Sequence, residues 1–139
     1  MDMIIHASTV CLDGGAVMLR GPSGAGKSAL ALDLIGRGGT LVADDRTMLT
    51  LSDGVVCAAC PAAIAGLIEA RGIGILRLPH VSGVPVRLVV DLVKDQGARL
   101  PEQEKVTLLG QKIPVLHSPW TAQLAPAIVL MMRGAERIE

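Results

Sequence analysis

The residues best suited to chemistry form one glycine-rich run, Gly21-Pro22-Ser23-Gly24-Ala25-Gly26-Lys27-Ser28. The run has the spacing of a P-loop: a glycine, four residues, and then Gly-Lys-Ser. Glycines allow the backbone angles that turn N–H groups toward phosphate oxygens. Lys27 suits the β- and γ-phosphates of ATP, and the Ser28 hydroxyl suits Mg²⁺. The run therefore predicts a site for ATP and Mg²⁺. The alternative is an ordinary glycine-rich turn with a surface lysine.

A second candidate is the acidic pair Asp44-Asp45, which directly follows the apolar run Thr40–Ala43. Ligand sites in parallel α/β sheets lie where strands end. One carboxylate can hold Mg²⁺, directly or through water, and the other can accept a proton from an attacking hydroxyl. Neighbouring side chains on a strand point to opposite sides, so the two need not share a role. The alternative is a solvated cap of a turn.

The third cluster is Glu69-Ala70-Arg71, followed by Gly72 and Gly74. Glu69 can complete a magnesium shell, and Arg71 can stabilise charge on a transferring phosphoryl group. Taken alone, an ion pair before a strand explains the two side chains better. His6, alone in the middle of a predicted strand, is by itself more typical of a core or surface residue than of a catalyst.

These side chains need a scaffold, and the sequence predicts one around the P-loop. Ala16–Arg20 is a short apolar run typical of a buried strand, and Ser28–Ile35 has leucines at helical spacing. Glycines at positions 36, 38 and 39 end that helix, and Thr40–Ala43 forms the next strand. Strand, loop, helix and strand together have the size of one right-handed βαβ unit, with the acidic pair at the end of its second strand.

The rest of the chain predicts mostly strands. A tight turn at Asp53-Gly54 is expected to join a hairpin, and residues 61–67 to form a short helix or a loop. Residues 94–105 form a polar stretch. The other predicted elements are strands over Met3–Val10, Gly72–Leu76, Val86–Val93 and Ile113–Leu116, and a C-terminal helix over Thr121–Arg133.

Composition narrows the classes of function. The chain has 139 residues, zero formal net charge and 50% apolar residues, which predicts one domain over residues 1–139. It shows no basic patch for nucleic acid and no apolar run long enough to span a membrane, and its first residues do not have the pattern expected of a signal peptide. The odd cysteine count, Cys11, Cys57 and Cys60, favours reduced thiols in a cytoplasm. We expect these thiols to be small buried side chains, not zinc ligands.

Taken in order, the clusters resemble the catalytic domain of HPr kinase/phosphorylase. The resemblance covers nearly the whole chain. The N-terminal domain that many members have is not expected here, as in the short forms of the family. The resemblance implies an α/β fold, a P-loop kinase core related to phosphoenolpyruvate carboxykinase, a central mixed sheet with flanking helices, and a hexamer. The segments that carry it are His6–Val10, Arg20–Ser28, Leu41–Arg46 and Leu67–Leu76.

Several roles follow from the resemblance. His6 matches the active-site histidine of the family, and Lys27 and Ser28 match its P-loop lysine and magnesium-binding serine. Asp45 matches the aspartate that takes the proton from the substrate serine, and Asp44 stays a candidate metal ligand. Glu69 matches a second magnesium ligand.

The resemblance also implies a later catalytic arginine and a substrate. Arg99 looks like that arginine, with Lys105 as a competing alignment. The implied activity is an ATP-dependent kinase acting on a serine of HPr, the small phosphocarrier of the phosphotransferase system. The family's phosphate-binding loop near the C-terminus would fall at residues 113–120, which hold no arginine. A kinase without the phosphorylase activity is therefore the more careful prediction.

Two other hypotheses stay open at this point. A small-molecule kinase would share the P-loop, although the sequence shows no long lid insertion and no second basic cluster. A non-catalytic module that senses ATP would also use the P-loop. Transfer of phosphate to a carrier protein separates both from the leading hypothesis.

Overall fold

The chain folds into a curled sheet of mixed strand directions with two α-helices, seen in a computed structural model that describes residues 2–94 and 104–138. The helices are α1 (Lys27–Gly36) and α2 (Leu124–Met132), and a short 3₁₀ turn covers Ala62–Ile64. The strands are β1 (Asp2–Ile5), β2 (Ser8–Leu12), β3 (Gly15–Arg20), β4 (Thr40–Ala43), β5 (Thr47–Ser52), β6 (Val55–Ala59), β7 (Leu67–Ala70), β8 (Gly74–Arg77), β9 (Val84–Leu92), β10 (Glu104–Leu108) and β11 (Gln111–Ser118).

Nine of these strands form the main sheet: seven follow in the order β1-β5-β6-β9-β3-β2-β4, and β11 and β10 branch from β9. The long strand β9 organises it. Along one edge β9 runs parallel to β3, and along the other it is antiparallel to β6 at its start and parallel to β11 at its end. Strand β10 adds to β11, while β7 and β8 form a separate two-stranded hairpin.

The predicted βαβ unit is present with one correction. Strand β3, helix α1 and strand β4 follow in order, but β3 and β4 do not pair with each other. Strand β2 lies between them and is antiparallel to both. Strands β3 and β4 therefore run in the same direction with one strand between them. Their carboxyl ends still lie at the same edge of the sheet.

The single strand predicted over Met3–Val10 is wrong. The segment forms two strands, β1 paired with β5 and β2 paired with β3 and β4. The chain bends at His6 and Ala7 between them. Both halves are apolar and no glycine or proline marks the bend, so the pattern reads as continuous.

Most other predicted elements agree with the structure, although the strand predicted over Gly72–Leu76 begins only at Gly74, because residues 71–73 form a turn. The β5–β6 hairpin is confirmed, and its turn residues Asp53 and Gly54 have φ of 50° and 77°, the positive angles of a tight hairpin turn. The C-terminal helix is three residues shorter at its start than predicted, because the chain forms a turn before Leu124. Neither helix of the described ranges is long and apolar enough to cross a membrane.

Both faces of the sheet are buried, which explains the almost uninterrupted apolar runs of β3 and β9. On the helical face, Val17 and Leu19 pack with Leu30 and Leu34 of α1 and Ile128 of α2. On the opposite face, the alternate residues of β3 join a second cluster that includes Leu49 and Val89. Each fully buried aliphatic side chain contributes about 1.5–3 kcal/mol, so the two clusters fix the strands that carry the site.

Candidate active site

The P-loop connects the end of β3 to the start of α1. Its glycines at 21, 24 and 26 all have positive φ. Gly26, with φ of 101°, caps α1, and its carbonyl accepts a hydrogen bond from the N–H of Leu30 at 2.9 Å. At Gly21 a Cβ atom would lie 2.9 Å from the carbonyl oxygen of Leu92, so only glycine fits. The loop therefore exposes backbone N–H groups and the N-terminus of a helix to one cavity, which suits an anion.

Lys27 is held inside this loop. Its side chain is 8% exposed, and Nζ donates to the carbonyl oxygens of Gly21 at 2.7 Å and Pro22 at 3.2 Å. An ammonium group has three N–H donors, so one remains for a phosphate oxygen. The loop carbonyls thus position a buried positive charge beside the loop's N–H groups.

Asp44 joins four segments of the fold. Its Oδ1 accepts hydrogen bonds from the hydroxyls of Ser8 and Ser28, each at 2.7 Å. Its Oδ2 accepts from the backbone N–H of Glu69 at 3.2 Å. These partners lie in β2, α1 and β7, while Asp44 itself follows β4. Because Asp44 is only 8% exposed, its carboxylate is both a structural anchor and a fixed negative charge beside Ser28.

Asp45 turns the other way, toward solvent. Its φ of 69° is unusual for a non-glycine residue, and its N–H donates to Ser8 Oγ at 3.1 Å. Its side chain is 62% exposed and hydrogen-bonded to Nε2 of His6. The bend that separates β1 from β2 thus places His6 where it fixes the Asp45 carboxylate. Strained backbone of this kind concentrates at functional sites.

A cavity of about 420 Å³ is lined by residues of the P-loop, including Lys27 and Ser28, and by Asp45. The P-loop lines one side, and the β7–β8 hairpin lines the other with Glu69 and Arg71. Both of these side chains are exposed, and within the described part of the chain no ion pair joins them, so the ion-pair explanation for this cluster is wrong. Asp45 lines the same cavity, which brings a carboxylate, a guanidinium and the phosphate loop together.

Arg99 and Lys105 are the two candidates for the later catalytic arginine of the family. Arg99 lies outside the described residues. Lys105 lies on β10 and lines a different cavity of about 440 Å³, together with Leu88 and Met131 of the sheet and α2. That cavity includes no residue of the P-loop.

An ion pair next to the loop was not predicted from the sequence. Arg20, the residue before Gly21, donates to both oxygens of Asp91, with Nε–Oδ1 at 2.7 Å and Nη2–Oδ2 at 2.8 Å. These hydrogen bonds raise the pKa of Arg20 above its ordinary value, so it stays charged. On the neighbouring strand β11, Nε2 of His117 lies 3.4 Å from Oδ2 of Asp91. The lone carboxylate within the apolar run 86–93 is the sequence signal for these polar contacts.

The residues present fit ATP with Mg²⁺. Within the described ranges, residues 2–94 and 104–138, no group of three or more His, Cys, Asp or Glu side chains could hold a metal ion. Mg²⁺ instead favours one or two protein oxygens with phosphate oxygens and water. Ser28 Oγ uses its proton on Asp44, which leaves its lone pairs for a cation. Ser28 and Asp44 would hold the ion, with Glu69 at the border of the same cavity.

The three cysteines differ in one respect from the prediction. All three are free thiols, and each is partly exposed, which corrects the prediction that they are buried. Burial of its sulfur and the nearby charge of Asp44 raise the pKa of Cys60 above that of an ordinary thiol. Cys60 is therefore a neutral thiol near neutral pH.

Known proteins are similar to this chain in sequence, and a solved structure is similar to it in fold. A protein named HPr kinase/phosphorylase from Azoarcus sp. (strain BH72) is 37% identical over 144 residues, covering 91% of this chain and 45% of the relative. One with the same name from Bordetella pertussis is 38% identical over 112 residues, covering 72% of this chain and 36% of the relative. The chain thus spans less than half the length of these curated relatives.

A solved structure gives the same result for the fold. The Hpr(Ser) kinase/phosphatase from Coxiella burnetii matches with a TM-score of 0.82 and 29% identity, over 94% of this chain and 88% of that one. The sequence profile of the family described as HPr Serine kinase C-terminal domain matches residues 1–130. The chain therefore belongs to the HPr serine kinase C-terminal domain family.

Proposed function

We propose that this chain is an ATP-dependent serine kinase that phosphorylates HPr or an HPr-like phosphocarrier protein. The observation that carries the proposal is the position of Asp45. Its carboxylate is held by His6 at the border of the cavity that the P-loop lines. A base in that position faces both a bound phosphate chain and solvent, where a protein hydroxyl can approach.

The chemistry is a direct transfer. The seryl oxygen of the acceptor forms a bond to the γ-phosphorus while the bond to the β–γ bridging oxygen breaks, and ADP leaves. Asp45 accepts the seryl proton, and His6 keeps the carboxylate oriented toward the acceptor. Lys27 and the P-loop N–H groups stabilise the charge on the phosphates, and Arg71 offsets charge on the group in transfer. Mg²⁺, when bound, neutralises the phosphate oxygens; Ser28, Asp44 and Glu69 are its proposed ligands.

The surroundings of Asp45 favour a protein acceptor over a small metabolite. Asp45 also borders two further hollows of about 410 and 450 Å³. Their apolar lining includes Ile4 and Ile75, whose side chains are 61% and 72% exposed. Exposed isoleucines in two hollows that border the proposed catalytic carboxylate suit the apolar surface of a protein partner.

Other parts of the proposal rest on the family. We infer a core related to phosphoenolpyruvate carboxykinase, a cytoplasmic location and a hexameric assembly. We also infer that the phosphorylase activity is missing, because β11 and the turn after it carry no arginine for a phosphate or phosphoserine.

The test is transfer of labelled phosphate to a protein serine. Purified chain, Mg²⁺, γ-labelled ATP and HPr should yield phosphoserine on HPr, and an HPr whose acceptor serine is alanine should stay unlabelled. Lys27→Ala should abolish labelling, because it removes the buried positive charge of the loop. ATP binding with no transfer to HPr or any HPr-like carrier would contradict the kinase proposal and favour a module that only senses ATP.

A further inference from the structure

The chain has no Phe or Tyr and one Trp, Trp120. This tryptophan lies beside the P-loop. A Cβ atom at position 26 would lie 3.9 Å from Cδ1 of its indole ring. The side chain is nevertheless 53% exposed, so part of the ring is free. A half-exposed indole beside the glycine that caps α1 is a planar apolar surface next to the P-loop, outside the lining of the 420 Å³ cavity.

The order of strands places Trp120 opposite the reacting groups. On one side of β3 the sheet continues through β2 to β4, which ends at Asp44 and Asp45. On the other side it continues through β9 to β11, which ends at Ser118, two residues before Trp120. With the γ-phosphate of a bound nucleotide placed near Asp45, the β11 side of the P-loop is available to the other end of that nucleotide.

The loop that carries Trp120 is anchored on both sides. The carbonyl oxygen of Ser118 accepts a hydrogen bond from the N–H of Val93 at 3.1 Å, which ties the loop to the end of β9. Pro119 restricts the backbone directly before the tryptophan. After it, the carbonyl oxygen of Thr121 accepts from the N–H of Leu124 at 3.2 Å and starts the turn into α2. The indole is therefore presented by a short, constrained segment.

We propose that Trp120 is the stacking platform for the nucleobase of the bound nucleotide. The proposal rests on the proposed function, because it requires a nucleotide in the P-loop. Every nucleobase has a flat π-face, and stacking on an aromatic side chain changes affinity by roughly 5- to 150-fold. Stacking reads the base weakly, so this platform accepts adenine without hydrogen-bonded selection among purines.

The chief competitor is the tip of the β7–β8 hairpin. Ile73 there is 82% exposed and lines the phosphate cavity together with Leu32 of α1. A base placed between these side chains would lie on the helix side of the loop, away from β11. The two placements require different side chains, so substitutions separate them.

The first experiment uses the wild-type chain. Because the chain has one tryptophan and no tyrosine, its intrinsic fluorescence reports Trp120 alone. Titration with Mg²⁺-ATP should quench or shift the emission, while inorganic tripolyphosphate with Mg²⁺ should bind with little change in the spectrum. Calorimetry should show that tripolyphosphate binds roughly tenfold or more weakly than ATP, because it lacks the stacking base.

The second experiment uses variants of the same chain. Trp120→Leu should raise the Kd for ATP roughly tenfold and leave the Kd for tripolyphosphate unchanged, while Trp120→Phe should retain most of the affinity for ATP. Leu130→Ala is the matched control, since Leu130 is an apolar side chain of α2 with 57% exposure. It should bind both ligands as the wild type does.

The outcomes separate this inference from the proposed function. If ATP and tripolyphosphate bind equally well and Trp120→Leu changes neither, the platform is refuted while nucleotide binding stands. If Ile73→Ser loses affinity for ATP and Trp120→Leu keeps it, the base lies on the hairpin and the platform is again refuted. If the wild type binds neither ligand, the proposed function fails and the platform fails with it.

Discussion

Replacing Asp44 with asparagine should destabilise the fold, although the two side chains have nearly the same shape. The carboxylate accepts three hydrogen bonds, from Ser8, Ser28 and the N–H of Glu69. The amide oxygen of asparagine can keep the two hydroxyl donors. Its NH₂ group would then face the N–H of Glu69, donor against donor.

The magnitude follows from these contacts. The backbone N–H left without an acceptor costs about 1–3 kcal/mol. The two hydroxyl bonds change from a charged to a neutral acceptor, at about 1 kcal/mol each. The asparagine variant avoids the burial of a charge, which offsets part of the loss. The net decrease in the free energy of unfolding should be about 2–3 kcal/mol, and the Tm should fall by about 6–12 °C for a chain of this size.

Urea unfolding followed by far-UV circular dichroism measures this change directly. The midpoint should fall while the slope of the transition stays the same. Asp33→Asn is the control, because Asp33 pairs with Arg37 at 2.8 Å across one exposed helical turn. It should change stability by about 0.5 kcal/mol or less. An Asp44→Asn variant that unfolds like the control would refute Asp44 as the junction of the four segments.

Two further predictions use the charges around the site. Asp91→Asn removes the bidentate partner of Arg20, whose side chain is 29% exposed. It should lower the free energy of unfolding by about 1–3 kcal/mol in the same urea assay. A decrease no larger than that of the Asp33→Asn control would show that the strands alone fix the start of the P-loop. Burial and the charge of Asp44 raise the pKa of Cys60, so its thiolate should form at higher pH than that of an ordinary thiol. At pH 8, iodoacetamide should therefore alkylate Cys60 more slowly than a free thiol, as measured by mass spectrometry. Asp44→Asn removes the second cause and should speed this reaction, and an unchanged rate would contradict the assigned effect of Asp44 on Cys60.

Local features of the fold were readable from the sequence. The P-loop, strand β3, helix α1 and the β5–β6 hairpin depend on short-range signals, namely glycine spacing, helical periodicity and a tight Asp-Gly turn. Each of these signals acts within about ten residues, where propensity and turn chemistry decide the backbone. The family resemblance supplied the mixed sheet.

Long-range features were not readable in the same way. Insertion of β2 between β3 and β4 depends on which buried strands pair, and the alternation of apolar residues does not specify partners. The bend at His6 is stabilised from a distance, by the contact of its ring with Asp45. The position of Trp120 beside Gly26 likewise arises only when β11 docks on β9.

The candidate site shows the same division. Lys27, Ser28, Asp44, Asp45 and Glu69 were all named from the sequence, and the structure brings them to one cavity or, for Asp44, into direct hydrogen bonds with its lining. The sequence did not reveal that the two aspartates divide so sharply, one buried in hydrogen bonds and one exposed with a left-handed backbone. A strand pattern places neighbours on opposite sides but does not give the turn after the strand.

The measurement that tests the central claim most directly is the single-turnover rate of phosphoryl transfer to HPr by Asp45→Asn. Removing a general base should lower the rate by about 10²–10⁴-fold, while the Kd for Mg²⁺-ATP stays near that of the wild type. Asp53→Asn is the matched control, because Asp53 also has positive φ, in the distant β5–β6 turn, and it should transfer phosphate at the wild-type rate. Transfer by Asp45→Asn as fast as by Asp53→Asn would contradict the assignment of Asp45 as the base.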